Sequence, residues 1–530
     1  MSETLRFLPS GDDAFLVELE SLEKTLTLLD ALLADRPDGV RELIPAARTL
    51  MVQFDPLTTN PQRLAAAIAR IDLSTDTVRK GQTFDIPMTY DGEDLKDVAE
   101  ILGWTIDEVI RRHSQATFTV AFTGFAPGFA YMTCDDVGFD VPRRTTPRVR
   151  IPAGSVALAG KFGGIYPSDS PGGWQLLGRT PLAVWDTTRP RAALLAPGDR
   201  VRFVDMAKSP VAIASGRPPA AKSSKRAAAH GLQVVRTDRP ALFQDLGRGG
   251  AADQGVSASG AMDRRSLQDA NLAVGNAWNE GAIEVAFGCF TLRTDHRVTV
   301  AVTGATCPLT IRSPNGKQIQ APFGTAFALD EGDELELGFP KEGTRSYLAI
   351  RGGFAVEPVL GSVSTDTLAK VGPPPIVEGD ILVSANRQAA AVPATGAAAG
   401  RLPAGADVVT LDVVLGPRTD WFTRQGLDTL LSQEWLVTPE SSRVGVRLSG
   451  PDAIERRDGA ELQSEGTSLG AIQVPHSGQP VLFLADHPLT GGYPVIAVVA
   501  RHHLDLAGQV PIGARIRFKL FDPVVRNIDQ

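Results

Sequence analysis

One short pattern recurs four times along the chain: Leu194–Phe203 (LLAPGDRVRF), Ala328–Leu337 (ALDEGDELEL), Val377–Val383 (VEGDILV) and Gln509–Phe518 (QVPIGARIRF). Each sets a glycine turn ahead of strict alternation between apolar and other residues, the signature of a half-buried strand leaving a tight turn. Four such endings spread over 530 residues predict repeated β modules. At roughly 150 residues per domain, the length allows three or four cores. The 52 glycines and 38 prolines exceed the roughly 12% of average usage and favour short strands joined by turns. A second, looser echo pairs Ile151–Pro167 with Val474–Pro494, each with an apolar-Pro start, an inner glycine, a strand and a Gly-Gly followed by Tyr-Pro, so the two halves read as distantly duplicated.

Composition excludes several classes. With 43% hydrophobic and 22% charged residues the chain is neither disordered nor fibrous. Its net charge of −8 argues against a general nucleic-acid binder. Cys134, Cys289 and Cys307 are odd in number, far apart and form no CxxC pair, so neither a disulfide framework nor a thiolate zinc site is expected, and a reducing, cytoplasmic setting fits. Met1–Asp13 carries no basic-then-apolar signal, and apolar runs such as Pro494–Ala500 fall far short of about 20 residues, so neither secretion nor membrane spanning is expected.

Residues 206–230 and 387–407 are rich in Ala, Pro, Ser and Gly with few large apolar side chains, which predicts linkers or long loops. Lys208, Arg217, Lys222, Lys225 and Arg226 make the first either a solvated tether or a basic arm. Residues 1–80 read as a small α/β unit, with helices over Leu22–Leu33 and Pro61–Ile71 and a strand over Thr49–Phe54. Asp94–His113 reads as two short amphipathic helices broken at Gly103, a spacing that a helix-turn-helix would share, although Asp107, Glu108, Arg111 and Arg112 are not a base-reading set. The domain division is therefore 1–80, 81–205, 231–386 and 408–530, with the two linkers between.

Familiar catalytic machines are absent. Gly160-Lys161 and Gly316-Lys317 are followed by Phe and Gln, so no P-loop is present. Ser21-Leu-Glu-Lys24 matches S-x-x-K only inside a leucine-rich helix, and no G-x-S-x-G elbow occurs. His502 and His503 are adjacent, and neighbours point apart in regular structure, so no metal site is expected.

Gly/Pro-dense loops with embedded polar groups remain. Phe125–Tyr131, Pro147–Gly154 and Tyr166–Trp174 put Pro127, Gly128, Tyr131, Arg148, Tyr166, Ser170 and Trp174 on turns where a small ligand can approach backbone N–H groups; simple structural turns would read the same. Trp174 and Arg179 either frame an anionic ligand or leave Trp174 as a core plug. Phe243–Gly250 and Gly255–Asp263 bring Asp245, Arg248, Ser257, Ser259 and Asp263 close in sequence; Arg248 suits a carboxylate or phosphate, and Asp263 is either functional or a helix N-cap. Glu284, Gln473, Asp486 and Tyr493 are further polar groups set among apolar strands.

FAPGFAY, PRVRIPAGSVALAG and GIYPSDSPGGWQLLGRTP resemble the B subunit of 5-oxoprolinase, in the family also called allophanate hydrolase subunit 1 or the Kip-type kinase inhibitor, over about residues 1–205. QDLGRGG, SGAMD, AVGN, TGATC, RGGF, SEGT, IQVP and ADHPLTGGYP are similar to the C subunit of 5-oxoprolinase, in the Kip antagonist or allophanate hydrolase subunit 2 family, over about 231–525. Together they look like a B–C fusion.

The resemblance implies a mainly β chain of cyclophilin-like β-barrel domains with a small N-terminal α/β domain, akin to the carboxyltransferase region of urea carboxylase. It implies one component of an ATP-dependent, Mg2+-using opening of the 5-oxoproline lactam to glutamate, partnered by a separate 5-oxoprolinase A subunit. On that reading Arg248 and Arg179 neutralise a phosphate or the substrate carboxylate, and Asp245, Asp263 or Asp486 handle magnesium or protons. Pro127, Gly128, Tyr131, Arg148, Tyr166, Ser170, Trp174, Glu284, Gln473 and Tyr493 would line the substrate site. Neither an amidase-signature loop (GGSSGG), nor an ATP-grasp domain, nor a biotin-bearing Met-Lys-Met is present, so covalently bound biotin is not expected. Two other readings stay open: a carboxyltransferase-like component serving a separate biotin protein, and a non-catalytic regulator of a histidine kinase. No nucleic-acid or membrane partner is implied, and a homo-oligomer remains open.

Overall fold

The computed structural model describes residues 5–74, 81–134, 136, 138–208, 230–394 and 400–521. Most of the first expected linker, 209–229, lies outside the described residues. The chain is mainly β, with short helices.

The N-terminal unit is an antiparallel sheet in the order Arg6–Pro9, Ala14–Glu18, Thr49–Phe54, Val40–Pro45. Because successive strand residues face opposite ways, its two sides do different work. Phe15, Val17, Leu50 and Val52 pack with Leu28 and Leu32 of helix Leu22–Ala34 and Leu64 of helix Pro61–Ile68. Leu16, Ile44 and Met51 instead pack against Ala252 and Leu489 of the second half. Ser21 is the N-cap of the first helix, accepting from the Lys24 N–H, while Lys24 Nζ donates to the Leu73 carbonyl. That is a capping role for the S-x-x-K pair.

Two domains share one strand order. Leaving out a two-stranded arm in each and numbering the remaining strands of Thr83–Asp205 along the chain, the sheet runs 6-4-5-3-2-7-1. The strands between Val408 and Leu520 give the same cycle, closed into a barrel. In both, the last strand lies parallel to the first: Arg200–Asp205 along Thr83–Met88, and Arg515–Leu520 along Val408–Val413. The later barrel closes through Val413–Leu415 and Ala497–Val499. The earlier one meets at a single bridge, where Thr89 and Arg179 exchange backbone hydrogen bonds of 2.9 Å. Each carries its arm in the same place, Arg148–Ile151 with Ser170–Gly172 and Glu465–Gly466 with Thr490–Gly491.

This topology supports the duplication and corrects its register. The counterpart of Thr490-Gly-Gly-Tyr493 is Ser170-Pro-Gly-Gly-Trp174 in the arm, not Gly163-Gly164 of strand Phe162–Ile165. Gly-Gly ahead of an aromatic recurs within ten residues there, so sequence similarity alone picked the wrong copy.

Helices Leu95–Leu102 and Ile106–Gln115 form as expected, with left-handed Gly103 between them and Thr105 as N-cap of the second. They are barrel packing elements: Val109 and Val98 enter its core, and His113 is buried, stacking on Phe203 with ring centroids 4.6 Å apart. Burial pushes the His113 pKa down to about 3. On the outer face Arg111 and Arg112 are held by Glu108.

Between the barrels, residues 232–382 form a six-stranded and a five-stranded sheet around a core that includes Val234, Ile283, Phe290 and Leu348, with helix Arg264–Ala273 against the second sheet. The second expected linker, where described, follows this unit without a strand: the Ala390 N–H donates to the Gly275 carbonyl, the Ala390 carbonyl accepts from Arg351, and the Pro403 carbonyl accepts from Gly343. Among the described residues no helix is long and apolar enough to cross a membrane.

Candidate functional site

The N-terminal sheet, the Gly-rich loop after Gln244 and the closing barrel meet around a cavity of about 480 Å³. The sheet supplies Asp13, Arg41 and Glu42, the loop supplies Arg248, Ser257 and Ser259, helix Arg264–Ala273 supplies Arg264, and the barrel supplies His487 and Arg501.

The loop is held by Asp245. Its carboxylate accepts from Gly247 N–H (2.8 Å), Val363 N–H (2.9 Å) and the hydroxyls of Ser362 and Ser364 (2.6 Å each). Gly247 has φ +89°, and a Cβ there would lie 2.6 Å from the Ala258 carbonyl, so the hairpin-like return of the loop requires glycine. The Gly250 N–H donates to Glu42, which ties the loop to the N-terminal sheet.

Arg248 is only 2% exposed. One Nη2 hydrogen bond reaches the Ser364 carbonyl, while Nε and Nη1 are buried with no partner. Desolvation lowers its pKa, opposed by Asp366, Asp245 and Asp486. A buried guanidinium with unmet donors is costly. The residue also lines the cavity, so its positive charge acts on whatever enters there.

Beneath the cavity lies a closed ionic network. Arg443 donates to Asp486 through Nε (3.0 Å) and Nη2 (2.9 Å), to Glu284 through Nη1 (2.5 Å) and to the Gly260 carbonyl (2.6 Å). Glu284 also accepts from the Tyr347 hydroxyl (2.7 Å) and Met262 N–H (3.0 Å). Asp486 accepts from the hydroxyls of Ser259 (2.6 Å) and Thr367 (2.7 Å). Ser259 sits at φ +54°, a left-handed conformation unusual for serine, held by this bond.

The carboxyl pKa values diverge across this network. Burial pushes Asp366 up to about 6, reinforced by the charge of Asp486. Burial also acts on Asp486, but the charge and hydrogen bonds of Arg443 and the Ser259 hydroxyl hold it below its ordinary range. Glu42 and Asp13 at the opposite wall are raised by burial. Carboxyls forced apart in this way can divide acid and base roles.

A second cavity of about 350 Å³ shares Ser257 and His487 with the first and is lined by Pro127, Ser170 and Lys370. The expected residues thus divide. Arg248 is on the first cavity, with Asp245 and Asp486 in direct support of its walls; Pro127 and Ser170 are on the second. Asp263 is the N-cap of helix Arg264–Ala273, bonded to Ser266 N–H (2.9 Å), and also accepts from Gln509 (2.8 Å). Glu284 is enclosed by Arg443 and Tyr347.

Others lie elsewhere. Tyr131, Tyr166 and Trp174 form an aromatic core with Phe122 and Phe129, Tyr131 also edging a separate cavity of about 620 Å³. Gly128 donates to the Gln254 carbonyl (2.8 Å) as a joint between halves. Arg148 is bound to Asp94 (2.7 Å). Arg179 ends its strand pointing outward, paired with Asp91 at 2.8 Å, so it and Trp174 do not face one ligand. Gln473 is buried against the Tyr493 carbonyl, and Tyr493 is half-exposed beside His476.

Sequence reasoning missed Arg41, Glu42, Asp13, Arg264, Arg443 and Arg501. Only the SSRVGV string around Arg443, a lone cation entering an alternating strand, offered a local signal.

Comparison with known proteins fits this layout. Residues 5–195 match the family described as carboxyltransferase domain, subdomain C and D, and residues 254–520 match carboxyltransferase domain, subdomain A and B. The chain is 33% identical over 290 residues to the 5-oxoprolinase C subunit of Escherichia coli strain K12, covering 54% of this chain and 90% of that protein. It is 37% identical over 207 residues to the 5-oxoprolinase B subunit of Escherichia coli O157:H7, covering 37% of this chain and 93% of that protein. The crystal structure of TTHA0988 in space group P212121 superposes with a TM-score of 0.80 at 31% identity, over 97% of this chain and 100% of that one.

Proposed function

The chain belongs to the carboxyltransferase-domain family, with subdomains C and D ahead of A and B in one polypeptide, and we propose on that footing that it is the B–C component of an ATP-dependent 5-oxoprolinase, opening the 5-oxoproline lactam to glutamate with a separate A subunit. The observation that carries this reading is Arg248: a buried guanidinium that lines a small cavity puts a positive charge where the carboxylate or a phosphoryl oxygen of a small anionic substrate would sit. Asp366, raised to about 6, and the ionised Asp486 are the groups able to hold and release a proton behind Ser257 and Ser259. The leaving amine of a lactam must gain a proton, which is the chemistry such a pair would supply.

Asp12, Asp13 and Glu42 line the same cavity, and one or two such carboxylates are what Mg2+ uses when it is held together with phosphate oxygens. Among the described residues, the three-membered group of His and acidic ligands is Asp412–His502–His503, and none of these lines the cavity.

The test mixes the chain with an A subunit of proven competence, ATP, Mg2+ and 5-oxoproline. Equal release of glutamate and ADP, absent when either protein is omitted, is the expected result; no release defeats the reading. The carboxyltransferase description of both halves favours a second one, a partner for a separate biotin protein, which requires turnover to depend on a biotinylated carrier.

A further inference from the structure

We infer that Asp412, His502 and His503 form a binding site for a divalent transition-metal ion of the zinc class. Adjacent histidines point apart along a strand, but these two occupy the 3-10 turn Arg501–His503, and their ring centroids are only 4.3 Å apart. Both face one carboxylate. His502 Nε2 is 2.9 Å from Asp412 Oδ2, and His503 Nδ1 is 3.9 Å from the same oxygen. All three ligand atoms lie within 4.8 Å of one another. Bonds of about 2.0–2.1 Å in a tetrahedral zinc site put ligand atoms roughly 3.4 Å apart, a spacing these distances bracket.

The donor set is also the right kind. Two imidazoles and one carboxylate suit Zn2+ and its neighbours better than Mg2+ or Ca2+, and three protein ligands leave a fourth position for water. The side chains are 36%, 25% and 19% exposed for His502, His503 and Asp412, so an ion can enter without unfolding the barrel. His503 Nδ1 now accepts from the Asp412 N–H at 2.8 Å, which orients the ring toward the carboxylate; ion binding exchanges that bond for the metal.

The location gives the ion a consequence. The turn begins at Arg501, which lines the 480 Å³ cavity and stands 3.6 Å from Asp13. Fixing His502 and His503 on Asp412 would fix the segment that carries Arg501 to the cavity. This site is a positioning device; its existence does not depend on the lactam-opening reading.

The experiment is equilibrium dialysis of the metal-stripped full chain against Zn2+, with bound metal measured by mass spectrometry and Co2+ absorption as a second readout. We expect one high-affinity Zn2+ per chain, and visible Co2+ bands without thiolate charge-transfer absorption. His502→Gln with His503→Gln, and separately Asp412→Asn, should weaken that site at least tenfold, while His476→Gln leaves it unchanged. Melting of each variant without metal shows that it is folded, and a Zn2+-induced rise in melting temperature should occur in the parent only. No binding at 100-fold excess Zn2+, or binding unchanged in both variants, overturns the site.

Discussion

Arg443 holds Asp486 by two parallel hydrogen bonds, Nε to Oδ2 at 3.0 Å and Nη2 to Oδ1 at 2.9 Å, with the pair almost wholly removed from solvent. The same guanidinium reaches Glu284 on a strand of the neighbouring domain, so one arginine neutralises two buried carboxylates from different domains. Removing it strands Asp486 and leaves Glu284 with only the longer 3.6 Å pairing to Arg345. Arg443→Met should cost about 3–5 kcal/mol, the usual penalty for breaking a buried ion pair, read as a lowered urea midpoint. Adding Asp486→Asn and Glu284→Gln to that variant should recover part of the loss, because the uncompensated charges go with it. A single variant as stable as the parent would show the network to be energetically idle.

Asp366 makes stability depend on pH. Its folded pKa is raised to about 6 by burial and by Asp486. A carboxyl raised in the folded state contributes stability that is present in full below its unfolded pKa near 3.9 and is lost as pH rises through about 6. Asp366→Asn can keep the Leu368 and Ala369 N–H bonds but cannot ionise. The variant's melting temperature should therefore match the parent's near pH 4 and exceed it near pH 7.5. A difference that stays constant across that range would refute the shift.

Arg248 separates binding from folding. Because Nε and Nη1 satisfy nothing inside the protein, Arg248→Met should leave the melting temperature equal to or above that of the parent. Turnover of the reconstituted system should fall about 10²-fold or more, the usual loss when a charged donor to a reacting oxyanion is removed. Arg248→Lys should recover little, since a point charge cannot reproduce two fork-like N–H bonds. Equal turnover in parent and Met variant would remove Arg248 from the site.

What the sequence made legible was local. The four turn glycines, Gly198, Gly332, Gly379 and Gly513, all have φ between +84° and +94°, a backbone state whose steric preference for glycine is written at one position. Thr49–Phe54 and the helix break at Gly103 were readable for the same reason, as period and punctuation. The cavity was not, because Asp13, Arg248 and Arg501 come from three separate units and share no sequence pattern. Arg179 lies apart from the cavity because it ends a strand that is buried up to Gly178 and reaches solvent only at its last residue. The shared orientation of His502 and His503 was not legible either, because a tight 3-10 turn, not an extended strand, carries them.

The two halves should depend on each other through one glycine. Gly255 has φ +76°, and a Cβ there would lie 2.7 Å from the Ala126 carbonyl of the first half, beside the Gly128 N–H to Gln254 bond (2.8 Å) and the Thr123 hydroxyl to Ala252 bond (3.2 Å). Gly255→Ala therefore imposes both backbone strain and a steric clash at the joint. With a protease recognition sequence placed within residues 209–229, the cleaved parent should stay associated on gel filtration at micromolar concentration. The cleaved variant should separate, with a dissociation constant raised at least tenfold, which corresponds to about 1.4 kcal/mol. Its turnover before cleavage should suffer less, because the tether keeps the halves at high effective concentration. Identical elution of both cleaved proteins across a dilution series would show that the joint does not rest on this contact.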